Sequence, residues 1–250
     1  MLKRLGWLTV TALGVVAAFA LAACGGDDAA SAAKTAPART ATPGAATSGT
    51  AVKDPAKGGY VAKMKALTTP AELAKGRNLG NEDAPVKLQM FEDFRCSHCM
   101  EFTADFEQFI VDSYVKPGKV QVQFRYFPLS QASVPMMAAA ECAAQQEQFW
   151  PYAKKLFTVH AESYEGGLAL GSAFTEAKFK EYAAELALDA AKFAACYTND
   201  ATLDAIAADY REVQALSLKG TPAFVINGKL LPENPANNAA WKSVLDAAAK

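Results

Sequence analysis

Cys96-Ser97-His98-Cys99 sets two thiols two residues apart with an imidazole between them, inside the stretch FEDFRCSHCMEF. Such a pair could hold a metal, staple the chain, or exchange electrons with other thiols and disulfides. A structural zinc site needs four ligands, yet no second CxxC or paired histidine motif is present, Cys142 and Cys196 are isolated, and His160 stands alone. A c-type haem needs histidine directly after the second cysteine, where this chain has Met100. As a staple, the pair closes so short a loop that it would barely restrict the unfolded chain. Redox chemistry is the expectation that remains, with no metal. It needs a thiolate, and a cysteine at a helix N-terminus gains one because unpaired N–H groups and the helix dipole favour negative charge. Cys96 is therefore the expected nucleophile and leaving thiolate, Cys99 the resolving thiol, and His98 a donor or partial charge that stabilises the Cys96 thiolate.

The elements that must position this pair are legible on either side. VKLQMF at Val86–Phe91 follows the turn-like GNEDAP and reads as a buried strand. After Cys99, Phe102, Phe106, Phe109 and Ile110 recur at helical spacing until KPGK at Lys116–Lys119 stops the pattern. Val120–Phe127, VQVQFRYF, alternates as a strand and closes a strand-helix-strand unit. From about residue 129 to 216 the sequence turns Ala-, Glu-, Gln- and Lys-rich, with aromatics at helical intervals. This block should be all-helical, with Ser133 and Pro135 opening its first helix. Lys219–Leu231 holds two short β-prone runs around Asn227-Gly228, a type I′ hairpin signal, and the tail should end in a helix bearing Trp241, Val244 and Leu245 on one face.

The 250-residue chain is 51% apolar and has a formal charge of −1, enough for one substantial core, and it has no basic block dense enough for nucleic acid. Lys3 and Arg4 precede an uncharged, largely apolar run that ends in LAAC at Leu21–Cys24. That pattern is similar to a bacterial lipoprotein signal, residues 1–23, whose cleavage leaves Cys24 as a lipid-bearing first residue. An uncleaved membrane anchor is the alternative, and either places the remainder outside the cytoplasm. Residues 24–57 are Ala, Thr, Pro, Gly and Ser with almost no large apolar side chain. They cannot offset ordering entropy by burial and read as a flexible tether of roughly 30 Å. With Cys24 assigned to lipid, four cysteines allow three pairings, and the closeness of Cys96 to Cys99 favours 96–99 with 142–196.

Three stretches together resemble the DsbA-like thiol:disulfide oxidoreductases, an α/β thioredoxin-like fold with an inserted all-helical subdomain. GNEDAPVKLQMFEDFRCSHC from Gly80 looks like the strand that leads into the redox pair. GTPAFVING from Gly220 looks like the family's cis-proline loop, with Thr221 and Pro222 binding substrate backbone. AAECAAQQEQFW and FAAC at Phe193–Cys196 look like the cysteine pair of the helical insertion, which makes Cys142–Cys196 structural, with a second redox pair as the alternative. The resemblance covers residues 80–250 and leaves 58–79 as an unassigned extension.

It implies disulfide donation to reduced or unfolded exported polypeptides, no cofactor beyond the cysteines, and a quinone-linked membrane protein as reoxidant. It places the chain in a bacterial cell envelope, held to the membrane by lipid. A reductase or isomerase on the same fold, and a noncatalytic peptide-binding module, are the competing readings. One departure stands out. Many members carry an acidic residue six positions before the first cysteine, and here that residue is Met90, with Glu92 and Asp93 closer to the pair. His160, with no partner evident, is expected to face solvent.

Overall fold

In a computed structural model, which describes residues 58–250, the elements run α1 (Tyr60–Ala66), β1 (Ala74–Lys75), β2 (Asn78–Leu79), β3 (Val86–Glu92), α2 (Ser97–Phe102), α3 (Gln108–Ile110) and β4 (Val120–Tyr126). There follow α4 (Val134–Ala144), α5 (Phe149–Tyr164), α6 (Leu170–Ala173), α7 (Glu176–Glu185), α8 (Ala190–Tyr197), α9 (Asp200–Ala215), β5 (Ala223–Ile226), β6 (Lys229–Leu230) and α10 (Asn238–Ala248). The expected signal peptide, the lipidated Cys24 and the tether lie outside the described residues. None of the described helices is long and apolar enough to cross a membrane.

The strands form one mixed sheet in the order β1-β2-β4-β3-β5-β6. β3 and β4 pair in parallel from Val86↔Val120 to Glu92↔Tyr126, and β5 lies antiparallel on the other side of β3. Alternation decides which face each side chain takes. Val86, Leu88 and Met90 of β3 join Val120, Val122, Phe124 and Tyr126 of β4 in the larger core, which also holds Phe102, Phe149 and Trp241. The opposite face is more polar and is covered by α9, where Gln89 donates to Glu212 at 2.9 Å and Phe91 packs with Val213 and Val225.

The expected helical block is α4–α9. Thr175, Asp189 and Asn199 cap α7, α8 and α9 with their side chains, as their residue types favour. Ser133 stands at the N-cap of α4, but its hydroxyl is buried without a partner. Cys142 and Cys196 form a disulfide between α4 and α8, with Cα atoms 5.6 Å apart. The Asn227-Gly228 turn takes positive φ at both positions, 49° and 78°, which fits the expected hairpin.

The sheet begins before Gly80. β2 pairs antiparallel with β4, and Arg77, in the turn between β1 and β2, ion-pairs with Glu141 of α4 and buried Asp209 of α9 while its guanidinium lies over Tyr126. Two-residue strands carry too short a pattern to be recognised from alternation. Gly80 takes φ 110°, and a Cβ there would stand 2.6 Å from the Val120 carbonyl, so the hairpin closes onto β4 only through glycine.

Candidate active site

Cys96 lies four residues beyond the end of β3 and is the N-cap of α2, with φ −81° and ψ 119°. The helix that starts there continues past Phe102 through π-helical Thr103–Glu107, α3 and π-helical Val111–Val115. An N-cap side chain normally accepts from the second or third helical N–H. Here the acceptor position is filled by sulfur, and the backbone N–H groups of His98 and Cys99 favour its anion.

Cys96 and Cys99 are both free thiols. The Cys96 thiol is pulled down to about 6, first by the hydrogen bond from the Cys99 side chain, against a desolvation cost, and further by Thr221 and the two backbone amides. Cys99, fully buried, moves well above the ordinary thiol range because burial and the neighbouring Cys96 and Glu92 disfavour its anion. The two thiols of one motif are thus driven in opposite directions.

The register of the sheet brings the second expected element to the first. Ala223 of β5 faces Phe91 of β3, so the residues just before β5 must lie beside those just after β3. The Thr221–Pro222 peptide bond is cis. The Cys96 thiol donates to the Thr221 carbonyl at 3.4 Å, and Asn234 donates to the Pro222 carbonyl at 2.8 Å. The carbonyl contact favours neutral Cys96, whereas the Thr221 hydroxyl, buried without another partner, favours the thiolate.

His98 acts differently from the sequence expectation. Its side chain is 72% exposed and its Nδ1 lies 3.1 Å from Glu101 Oε2, one helical turn on. A residue at the second position of a helix points its side chain outward while its N–H points back at the cap, so the contribution of His98 to Cys96 runs through the main chain. His160 also departs from expectation. It is 5% exposed on the inner side of α5, with Nδ1 3.0 Å from the Phe94 carbonyl, and burial holds it below the ordinary histidine range.

The acidic residues near the pair divide sharply. Met90 is core, opposite Phe224 on β5. Asp93 is fully buried but committed to the backbone, accepting from the amides of Arg95 and Leu129 at 2.8 Å each. Glu92 is 1% exposed and neither carboxyl oxygen has a hydrogen-bond partner. Burial, then Glu107 and Cys96, raise it well above the carboxylate range. Glu107, inside the π-helical segment, is raised to about 8 by burial, with Lys154 opposing. The charged letters of Glu92 and Glu107 gave no sign of burial, because which face each takes depends on the packing around the strand end and on the π-turn.

A groove of about 530 Å³ runs beside the dithiol, lined by His98, Phe102, Phe106, Thr221, Pro222 and Pro235, with Tyr60 and Lys63 of α1 at its margin. A larger cavity of about 900 Å³ lies by the β1–β2 hairpin and Lys116–Gly118; neither thiol lines either cavity, but only the smaller one is bordered by His98 and Thr221, the neighbours of the pair. Among the described residues no group of three or more His, Cys, Asp or Glu side chains is placed to hold a metal ion.

A family model described as thioredoxin matches residues 72–247. The probable disulfide bond formation protein D of Bacillus anthracis is 26% identical over 171 residues, covering 67% of this chain and 76% of that protein. Among solved structures, oxidised BdbD from Bacillus subtilis superposes with a TM-score of 0.60 at 19% identity, over 72% of this chain and 95% of that one. Wolbachia pipientis alpha-DsbA1 gives 0.56 at 22% identity, over 75% and 96%. At these identities the structural matches establish the fold.

Proposed function

Because the chain belongs to the thioredoxin family, as a DsbA-like thiol:disulfide oxidoreductase with a helical insertion, we propose that it donates the Cys96–Cys99 disulfide to reduced polypeptides outside the cytoplasm. The observation that carries the direction is the depression of Cys96 to about 6 in the reduced form. A stabilised thiolate is a good leaving group and stabilises the reduced enzyme, which makes the disulfide oxidising.

In the oxidised enzyme a substrate thiolate attacks the Cys96 sulfur, the Cys96–Cys99 bond breaks, and its electron pair stays on Cys99. Anionic Cys99 is costly in its buried site, and Glu92, raised well above the carboxylate range, is the nearby acid that supplies a proton. A second substrate thiolate then attacks the substrate sulfur of the mixed disulfide and expels Cys96 as thiolate. The substrate dithiol is oxidised by two electrons and the enzyme disulfide is reduced by two. If the second step stalls, Cys99 returns its proton to the Glu92 carboxylate and attacks the Cys96 sulfur; the Cys96–substrate bond breaks, the substrate leaves as thiolate and the 96–99 bond re-forms. Extended substrate lies in the groove over Pro222 and pairs with the Thr221 backbone. Glu92 thus takes the proton-handling place vacated by Met90, from the end of the strand.

Lys3 and Arg4, the apolar run and Leu21–Cys24 support export and a lipid-anchored cell-envelope location, with 24–57 as tether. Turnover then needs an outside oxidant, for which a quinone-linked membrane protein is the proposed class. The Cys142–Cys196 bond is assigned a structural role.

Equilibration with glutathione, followed by alkylation and mass analysis of the peptide that carries Cys96 and Cys99, tests the direction. A potential nearer about −120 mV is expected. A value near about −270 mV would make the chain a reductase and overturn the proposal.

A further inference from the structure

The four residues that lead into the nucleophile, Asp93–Cys96, belong to no strand or helix, and their backbone is fixed from three directions. The Asp93 carboxylate accepts from the amides of Arg95 and Leu129, and the Cys96 amide donates to the Asp93 carbonyl at 2.9 Å. The Phe94 ring is fully buried between Phe124 and Phe157, at centroid distances of 5.4 and 5.1 Å. The Phe94 carbonyl meets the same helix, α5, through His160.

A carbonyl only accepts, so the His160 proton resides on Nδ1. Neighbouring positions of α5, Leu156, Phe157, Val159 and Ala161, are buried and apolar. A histidine among them is desolvated at a cost that an aliphatic side chain would avoid. Asp93 and Arg95 are the charged groups that face it, with opposite effects on its proton. What the imidazole supplies in return is one donor, aimed at the main chain two residues before the nucleophile.

We infer that His160 is a positioning residue for the redox reaction: by holding the Phe94 carbonyl from α5, it keeps the Cys96 sulfur over the amides at the start of α2. The inference rests on the reading of Cys96 as nucleophile and adds to it a role for the helical insertion. Without the donor, the Phe94 carbonyl must find another partner. The Phe94–Cys96 backbone then turns, and the thiolate loses alignment with the His98 and Cys99 N–H groups. The insertion, 66 residues away in sequence, thereby sets the reactivity of the dithiol.

Three full-length chains test this: the unaltered protein, His160→Phe, which keeps a ring without a donor, and His160→Asn, whose amide nitrogen lies as many bonds from Cβ as Nδ1 does. Thiolate ultraviolet absorbance against pH gives the Cys96 pKa, and equilibration with glutathione gives the redox constant. His160→Phe is expected to raise the pKa and make the disulfide less oxidising by roughly fivefold to tenfold, while His160→Asn stays within about twofold of the unaltered chain. A folded His160→Phe that changes neither quantity overturns the inference, and so does a His160→Asn displaced as far as His160→Phe.

Nitrogen-detected NMR of the unaltered chain reads the same contact without any variant. The His160 proton is expected on Nδ1 in both redox states, and finding it on Nε2 overturns the inference even if His160→Phe does not fold. An ordinary thiol pKa for Cys96 in the unaltered chain overturns the nucleophile reading, and this one with it, whereas a depressed pKa indifferent to His160 overturns only the positioning role.

Discussion

Replacing Cys99 by alanine removes the first contributor to the Cys96 thiolate while leaving a single thiol to titrate in the active site. With a pKa of about 6, Cys96 is about 90% thiolate at pH 7. A hydrogen bond to a charged group contributes about 1.5–3 kcal/mol, which at about 1.4 kcal/mol per pKa unit amounts to roughly one to two units. Cys99→Ala should therefore titrate between about 7 and 8, with thiolate at pH 7 falling to roughly 10–50%.

Cys99→Ser is the matching control, because its hydroxyl still donates, and it should remain near 6. The assay is thiolate absorbance against pH, since alkylation rates mix thiolate fraction with intrinsic nucleophilicity. The same depression enters stability. It favours the folded, reduced protein fully above the ordinary thiol pKa of 9 and is lost as pH falls through about 6. If Cys99→Ala and Cys99→Ser titrate together near 6, the Cys99 thiol is not the donor and the account of the thiolate is wrong.

Two further perturbations reach other parts of the site and its frame. Glu107 is raised to about 8, so proton binding favours the folded state fully below the ordinary carboxyl pKa, and that stability is lost as pH rises toward 8; the loss at pH 7 is about 3 kcal/mol. Glu107→Gln should flatten that slope, and denaturant melts that fall equally from pH 5 to 8 in both chains would show that Glu107 is not the group titrating. The Cys142–Cys196 bond spans 54 residues, so replacing both cysteines with alanine should cost about 4 kcal/mol in the chain-entropy account while leaving the Cys96 pKa near 6. A large shift of the Cys96 titration in that variant would point to a redox link between the two pairs and away from a purely structural bond.

Much of the frame was legible because its signals are local. The strand before the pair, the helical block and the Asn227-Gly228 turn follow from period and turn chemistry, which act within a few residues, whereas Ser133, the one cap expected, makes no side-chain bond. The two-residue strands β1 and β2 were not legible, since their place depends on Arg77 reaching Asp209, 132 residues away. The π-turns of the helix after Cys99 were likewise hidden, because the spacing of Phe102, Phe106 and Ile110 is compatible with an ordinary helix.

At the site itself, Cys96 and Cys99 were nominated by residue type and by their place before a helix start, and Thr221 and Pro222 by the resemblance of their loop. Environment was decided elsewhere. His98, expected to act on Cys96 with its ring, lies exposed beside Glu101, and His160, expected to face solvent, is buried against Phe94, because orientation follows from helix phase and from which helix packs against the loop. Likewise Glu92 and Asp93 are adjacent acids in the sequence, yet one is buried without a hydrogen-bond partner and the other accepts from two backbone amides. The sequence by itself nominated the two thiols and marked the longer strands and the helical block. Only the tertiary structure decided how strongly each thiol holds its proton, because desolvation and the aim of distant donors are set by contacts between elements far apart in the chain.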